Sequence, residues 1–145
     1  MTPRDWLLLL LALDNTEPLD PVRLQKGMFL LAEESGVDPG ERYAFRAYDY
    51  GPFSSQIYDD IELLVAHGLV EVQPAPGYRW SRYMITPEGL DNARASVEGM
   101  DEHTLPIARW LAETKRSVLS MSFADLLSYV YERHPAYAVN SVFST

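Results

Sequence analysis

Three histidines, His67, His103 and His134, and an acid cluster, Asp59, Asp60 and Glu62, are the side chains whose types suggest metal or acid–base chemistry. A metal site needs such ligands to converge, through short helical spacing or from neighbouring elements. No histidine has a second histidine or an acid at that spacing on a face that reads as buried, so neither a metal nor a cofactor is expected. Each histidine falls near an expected helix end, where a ring can interact with the end of the dipole. Asp59, Asp60 and Glu62 fall on the outer face of an amphipathic helix and read as solvated surface. Phosphate-loop, dinucleotide and nucleophile-elbow motifs are absent. With no cysteine in the chain, disulfides and thiolate metal sites are excluded, which suits a reducing cytoplasm. The sequence reads as a binding protein, not an enzyme.

Two constellations carry binding chemistry. Tyr43, Phe45, Tyr48, Tyr50, Phe53 and Tyr58 crowd residues 43–58. Strand-like alternation cannot turn all of them inward, and tyrosine with arginine is enriched at protein interfaces. Tyr43, Arg46, Tyr48, Tyr50 and Asp59 are therefore the candidate partner-binding residues. The alternative is duplex DNA, with Ser54, Ser55 and Gln56 at a helix start reading base edges and Arg79 and Arg82 contacting phosphates. Against it stand the acids on that same helix and a formal net charge of -9, which repels a phosphate backbone.

These side chains must be positioned by a chain of 145 residues, enough for one domain with a substantial core. The apolar run at 6–13 falls short of the ~20 residues of a membrane span and lacks the flanks of a signal peptide, so it reads as a buried helix. Thr2, Pro3 and Asp5 form its capping box, and it is expected to reach about Asp14. Asp20 and Pro21 start a second helix, with Leu24, Met28, Leu31 and Ala32 as its apolar stripe, ending near Ser35-Gly36. Part of 43–50 reads as a short strand that Gly51-Pro52 terminates. Ser54 is expected to cap a third helix, with Phe53 stapling to Tyr58, core residues Ile57, Ile61, Leu64 and Val65, and Gly68 as its stop. Residues 69–73 and 78–85 read as strands around a turn at 74–77, and Thr86-Pro87-Glu88-Gly89 opens a fourth helix.

That order, helices followed by a strand–turn–strand and a capped helix, is the order of a winged helix. The rest reads as helices over about 101–117 and from a Ser122 cap to Pro135. Phe123, Leu126, Leu127, Val130 and Tyr131 form the inner stripe of the last one. The expected fold is mainly α with a small β wing (α+β). It has a winged helix-turn-helix-like core over about 1–99 and a helical extension over about 100–145, in a single domain 1–145. Trp110, Tyr129 and Tyr137 on the extension either cover the core or support a homodimer.

Arg-Leu-Gln-Lys-Gly-Met-Phe-Leu-Leu at 23–31, Tyr-Asp-Tyr-Gly-Pro-Phe-Ser at 48–54 and the 57–70 segment are similar to the YwgA-like proteins. More distantly they resemble the SocA-like antitoxin (Panacea) domain, whose pattern pairs a Leu-Gln-Lys helix with a Tyr-Gly-Pro turn. The segment 135–138 also looks like the end of that family. The SocA-like resemblance implies binding and neutralising, or delivering, a protein partner; the YwgA-like one implies little about function, and neither carries over a catalytic residue. Residues 68–70 and 83–89 resemble the wing and exit of bacterial winged-helix regulators. Such regulators join their second and third helices by a short turn, whereas 36–52 intervenes here. That insertion would re-aim the third helix away from a DNA groove.

Overall fold

A computed structural model of the chain describes residues 1–74, 77 and 80–142. Its helices are α1 (Pro3–Ala12), α2 (Pro21–Glu34), α3 (Ser55–Ala66), α4 (Pro87–Glu98), α5 (Thr104–Ser117) and α6 (Phe123–Arg133). Its strands are β1 (Arg46–Tyr48), β2 (Gly51–Phe53), β3 (Val70–Gln73) and β4 (Arg82–Ile85), paired as two antiparallel two-stranded sheets, β1-β2 and β3-β4. The fold is thus mainly helical with two small sheets, an α+β arrangement. No helix among the described residues is long and apolar enough to cross a membrane.

α1 is the central strut. Trp6 through Leu11 are all buried, and the helix packs against α2, α3, α4, α5 and β4. A helix buried all round needs no amphipathic stripe, which explains its unbroken leucines. Its capping box forms as expected, with Asp5 N–H donating to Thr2 Oγ1 and Thr2 N–H donating to Asp5 Oδ2. The helix stops at Ala12, earlier than the sequence suggests, because Leu13 turns extended and Asp14 takes a positive φ of 66°. Lys115 of α5 then donates to the carbonyls of Leu13 (2.9 Å) and Asn15 (2.5 Å), receiving acceptors that a longer helix would have used.

Asp20 caps α2 through Arg23 N–H, and the Arg23 side chain reaches the carbonyls of Leu119 and Met121, tying α2 to the segment before α6. At 46–53 the expectation is corrected. Gly51-Pro52 does not end a lone strand but forms the returning arm of a hairpin, in register Arg46↔Phe53, Ala47↔Pro52 and Tyr48↔Gly51. Gly51 has φ 90°, open to glycine at no steric cost. In a ribbon of two strands either strand is an edge, the place where proline is tolerated.

The β3–β4 hairpin runs from Val70↔Ile85 to Gln73↔Arg82, so 80 and 81 of the strand expected over 78–85 are not part of it, and 75, 76, 78 and 79 of the expected turn and strand lie outside the described residues. Leu19 joins it as a third-strand bridge, exchanging both backbone hydrogen bonds with Tyr83 (2.9 and 2.8 Å). At its base the Thr86 hydroxyl donates to Gly68 O and accepts from Gly89 N–H, so one side chain closes the hairpin and caps α4. Gly89 is required there: a Cβ would lie 2.0 Å from the Leu69 carbonyl oxygen.

One core of buried side chains runs from Trp6 on α1 to Leu126, Leu127 and Val130 on α6. Trp110, Tyr129 and Tyr137 are half-buried against that core, and the Tyr137 ring lies 4.7 Å from Phe29. Their apolar surface is largely spent inside the chain, as the core-covering reading expects.

Candidate functional site

The site begins with two polar side chains that α2 carries inside. Gln25 and Lys26 are each only 3% exposed. Gln25 Nε2 donates to Ser54 O at 2.9 Å and its Oε1 accepts Ser54 N–H at 2.8 Å. Lys26 Nζ donates to Pro52 O at 3.1 Å. Consecutive residues of α2 thus fix both the end of the β1–β2 hairpin and the start of α3. Burial draws the Lys26 ammonium down to about 7, against the opposing attraction of Asp20.

The hairpin held in this way presents a ladder of rings and charge. Arg46 and Phe53 are directly opposite in register, with the Arg46 guanidinium 5.0 Å from the Tyr48 ring and 6.0 Å from Phe53. Phe53 lies 5.1 Å from Tyr48 and 5.7 Å from Tyr58, joining the hairpin to α3 as the expected staple. Tyr48 is 44% exposed and Tyr58 38%, large apolar areas for a surface to leave open. A second group, Tyr50, Trp80 and Phe123, meets edge-on or tilted at 5.7–6.0 Å and links the hairpin to Trp80 and α6. Between the two groups lies a pocket of about 170 Å³ lined by Gln25, Lys26, Tyr48, Tyr50, Tyr58 and Trp80, among others.

Of the residues expected to meet a partner, Arg46, Tyr48 and Asp59 are exposed, and Tyr50 is half-buried at the pocket. Tyr43 is a correction. It is 5% exposed, and its hydroxyl donates to Asp60 Oδ2 at 2.6 Å, so it is a core residue pinning α3 to the segment before β1. Burial, and next the adjacent Asp60 carboxylate, push its phenol well above the ordinary tyrosine value. Residue 43 precedes β1, so strand alternation does not decide which way its ring points.

Of the DNA candidates, Ser55 and Gln56 are exposed at the first turn of α3, and Arg82 is half-buried on β4. Arg79 lies outside the described residues. Ser54 is a second correction. It occupies the N-cap position, but its side chain makes no capping bond and is buried, so it neither caps α3 nor reaches a base. Its backbone N–H and carbonyl are instead bonded by Gln25, the carbonyl also accepting Ile57 N–H. The exposed face of α3 carries Asp59 and Glu62, with Tyr83 of β4 acting on Tyr58 and Glu62 acting on Tyr83. Both phenols are raised, by burial first.

Among the described residues no grouping of histidine, cysteine, aspartate and glutamate could hold a metal ion. The three histidines are helix-end residues: His67 follows α3, His103 precedes α5 and His134 follows α6. His134 Nε2 lies 2.7 Å from Glu34 Oε2, beside Arg133, which also pairs with Glu34. That carboxyl is lowered, its two basic partners outweighing burial.

Gln25 and Lys26 are the residues that reading by composition missed. The available signal was the apolar run at 27–32, which leaves α2 no solvent face and forces polar residues of its first turns inside. No known family model matches the chain, and no curated protein is recognisably similar to it.

Proposed function

We propose that the chain is a non-catalytic winged-helix interaction module that acts by binding a partner protein, in the manner of an antitoxin or regulatory subunit. The element order supports the winged-helix reading: three helices, with the β1–β2 hairpin inserted between the second and third, then the β3–β4 hairpin joined by a bridging residue from the α1–α2 connection, then a capped helix. The resemblance of the Leu-Gln-Lys and Tyr-Gly-Pro segments to the SocA-like antitoxin domain supports the binding role. One observation carries the choice of partner. Tyr48 stands exposed beside Arg46 on the β1–β2 hairpin that Lys26 of α2 bonds, and Tyr58 stands exposed on the adjoining α3, next to its acidic outer face. Exposed tyrosines and a stacked arginine are the anchors protein interfaces use. Asp59 and Glu62 would face phosphates if α3 entered a DNA groove.

The competing reading is a DNA-binding regulator, favoured by Ser55 and Gln56 at the exposed start of α3. Affinity for duplex DNA that falls steeply with added salt and weakens on every sequence in Arg79→Ala/Arg82→Ala would establish it in place of the first. Capture of a defined host protein that is lost in a folded Tyr48→Ala/Tyr58→Ala variant would establish protein binding.

A further inference from the structure

The pocket behind Tyr48 and Tyr58 has features that an interface between flat surfaces does not need. Its volume of about 170 Å³ is close to that of cavities of ~150 Å³ that hold a benzene molecule. Tyr50, Phe53 and Trp80 supply aromatic walls, and Lys26 supplies a cation. Tyr48, Asp49 and Tyr58 are exposed and mark the side that opens to solvent. An ammonium has three N–H donors. One goes to Pro52 O, and among the described residues no other acceptor takes the remaining two. The carboxylate that acts on Lys26 from within the chain is Asp20, already bonded to Arg23.

A lysine buried in this way is costly unless its charge is matched. We propose that the pocket binds a monocarboxylate carried on an apolar body about the size of one aromatic ring, with the carboxylate paired to Lys26 Nζ. The charge arithmetic selects the class. One cation neutralises one anion, whereas a phosphate would leave net negative charge inside the pocket and an amine would be repelled. A neutral ring would fill the walls but leave the ammonium unmatched. Asp49, the other charged group lining the pocket among the described residues, is exposed, so water screens it. Because burial brings Lys26 near neutrality, pairing draws a proton onto it. The inference stands apart from the partner-protein reading. The acid is either a free small molecule or the C-terminal residue of a peptide.

Isothermal titration calorimetry of the full chain at pH 7.5 tests this. The probes are phenylacetate, 2-phenylethanol, and an N-acetylated tripeptide ending in phenylalanine with a free or an amidated C-terminus. Phenylacetate or the free-terminus peptide is expected to bind at least about tenfold more tightly than its uncharged counterpart, a step of 1.4 kcal/mol. Binding is expected to take up protons, read from its heat in two buffers of different ionisation enthalpy. Lys26→Met, which keeps the length of the side chain, is expected to lose that preference. Tighter binding of phenylacetate assigns a free acid, and tighter binding of the peptide assigns a chain terminus. Acid and alcohol binding equally, no proton uptake, or no binding of either acid at millimolar concentration would overturn the proposal. The buffer and alcohol comparisons use the native chain, so they decide the matter even if Lys26→Met does not fold.

Discussion

The side chain of Gln25 and the backbone of Ser54 exchange two hydrogen bonds inside the protein, at 2.9 and 2.8 Å. This amide replaces a strand partner for the last residue before α3, and it couples the aim of α3 to the position of α2. Gln25→Leu keeps the volume but leaves the buried Ser54 N–H without a partner, while the Ser54 carbonyl keeps only the 3.3 Å bond from Ile57 N–H. One such stranded group costs about 1–3 kcal/mol, so the variant should lose roughly that much in urea denaturation. A loss below about 1 kcal/mol would mean that the hairpin does not depend on the amide.

Lys26 gives stability a pH dependence with a defined sign. Its ordinary value is 10.5 and its folded value about 7, so between these limits the unfolded chain binds more protons than the folded one. Stability therefore rises with pH across that window. Below it, both states are protonated and the buried charge weighs fully on the fold. Lys115, drawn down to about 8 by burial, adds a slope of the same sign. The Lys26 share is isolated by comparing native chain with Lys26→Met from pH 6 to 9. The variant should gain most in relative stability at pH 6 and progressively less toward pH 9. A difference independent of pH would contradict the assignment.

Two glycines separate steric from conformational demands. A Cβ at Gly89 would meet the Leu69 carbonyl at 2.0 Å and Ile85 Cγ1 at 2.7 Å, and the first of these is backbone. Gly36 has φ 79° but nothing within 4 Å. Gly36→Ala should cost about 1–2 kcal/mol, the strain of a left-handed residue. Gly89→Ala should cost more than about 3 kcal/mol or prevent soluble expression, because α4 must withdraw from the base of the β3–β4 hairpin. Thermal denaturation of both variants checks the order, and equal costs would contradict it.

Tyrosines of this segment divide by role. Tyr43→Phe removes the bond to Asp60 and should cost about 1–2 kcal/mol of stability while leaving partner binding intact. Tyr48→Ala and Tyr58→Ala remove half-open rings and should each cost no more than about 1 kcal/mol, part of it the Arg46 stack at Tyr48. They should nevertheless weaken partner binding about tenfold or more. Chemical denaturation alongside a binding titration separates the two effects.

The helix starts were legible because caps are local: Thr2, Asp20, Thr86 and Ser122 each accept from a backbone N–H three residues on. Ser54 looks identical in sequence and behaves otherwise, since Gln25, far away in the chain, occupies its backbone and the packing buries its hydroxyl. The same tertiary contact explains why Gly51-Pro52 reads as a terminator yet forms a strand: Lys26 holds the Pro52 carbonyl in place. Which aromatics face out was legible only as a surplus. For Tyr48 and Phe53 the sorting depends on hairpin register, and for Tyr43, which precedes the hairpin, it depends on the distant Asp60 that its hydroxyl bonds. The pocket itself was not legible, because its cation comes from α2 and its walls from the hairpin, α3 and Trp80.

The most direct test of the protein-binding account is capture of host proteins by the native chain and by Tyr48→Ala/Tyr58→Ala, with duplex DNA binding measured on both at low salt. The account predicts a defined protein retained by the native chain and lost by a variant of unchanged fold, and no duplex binding by either. Salt-sensitive duplex binding, with the same proteins captured by both chains, would contradict it.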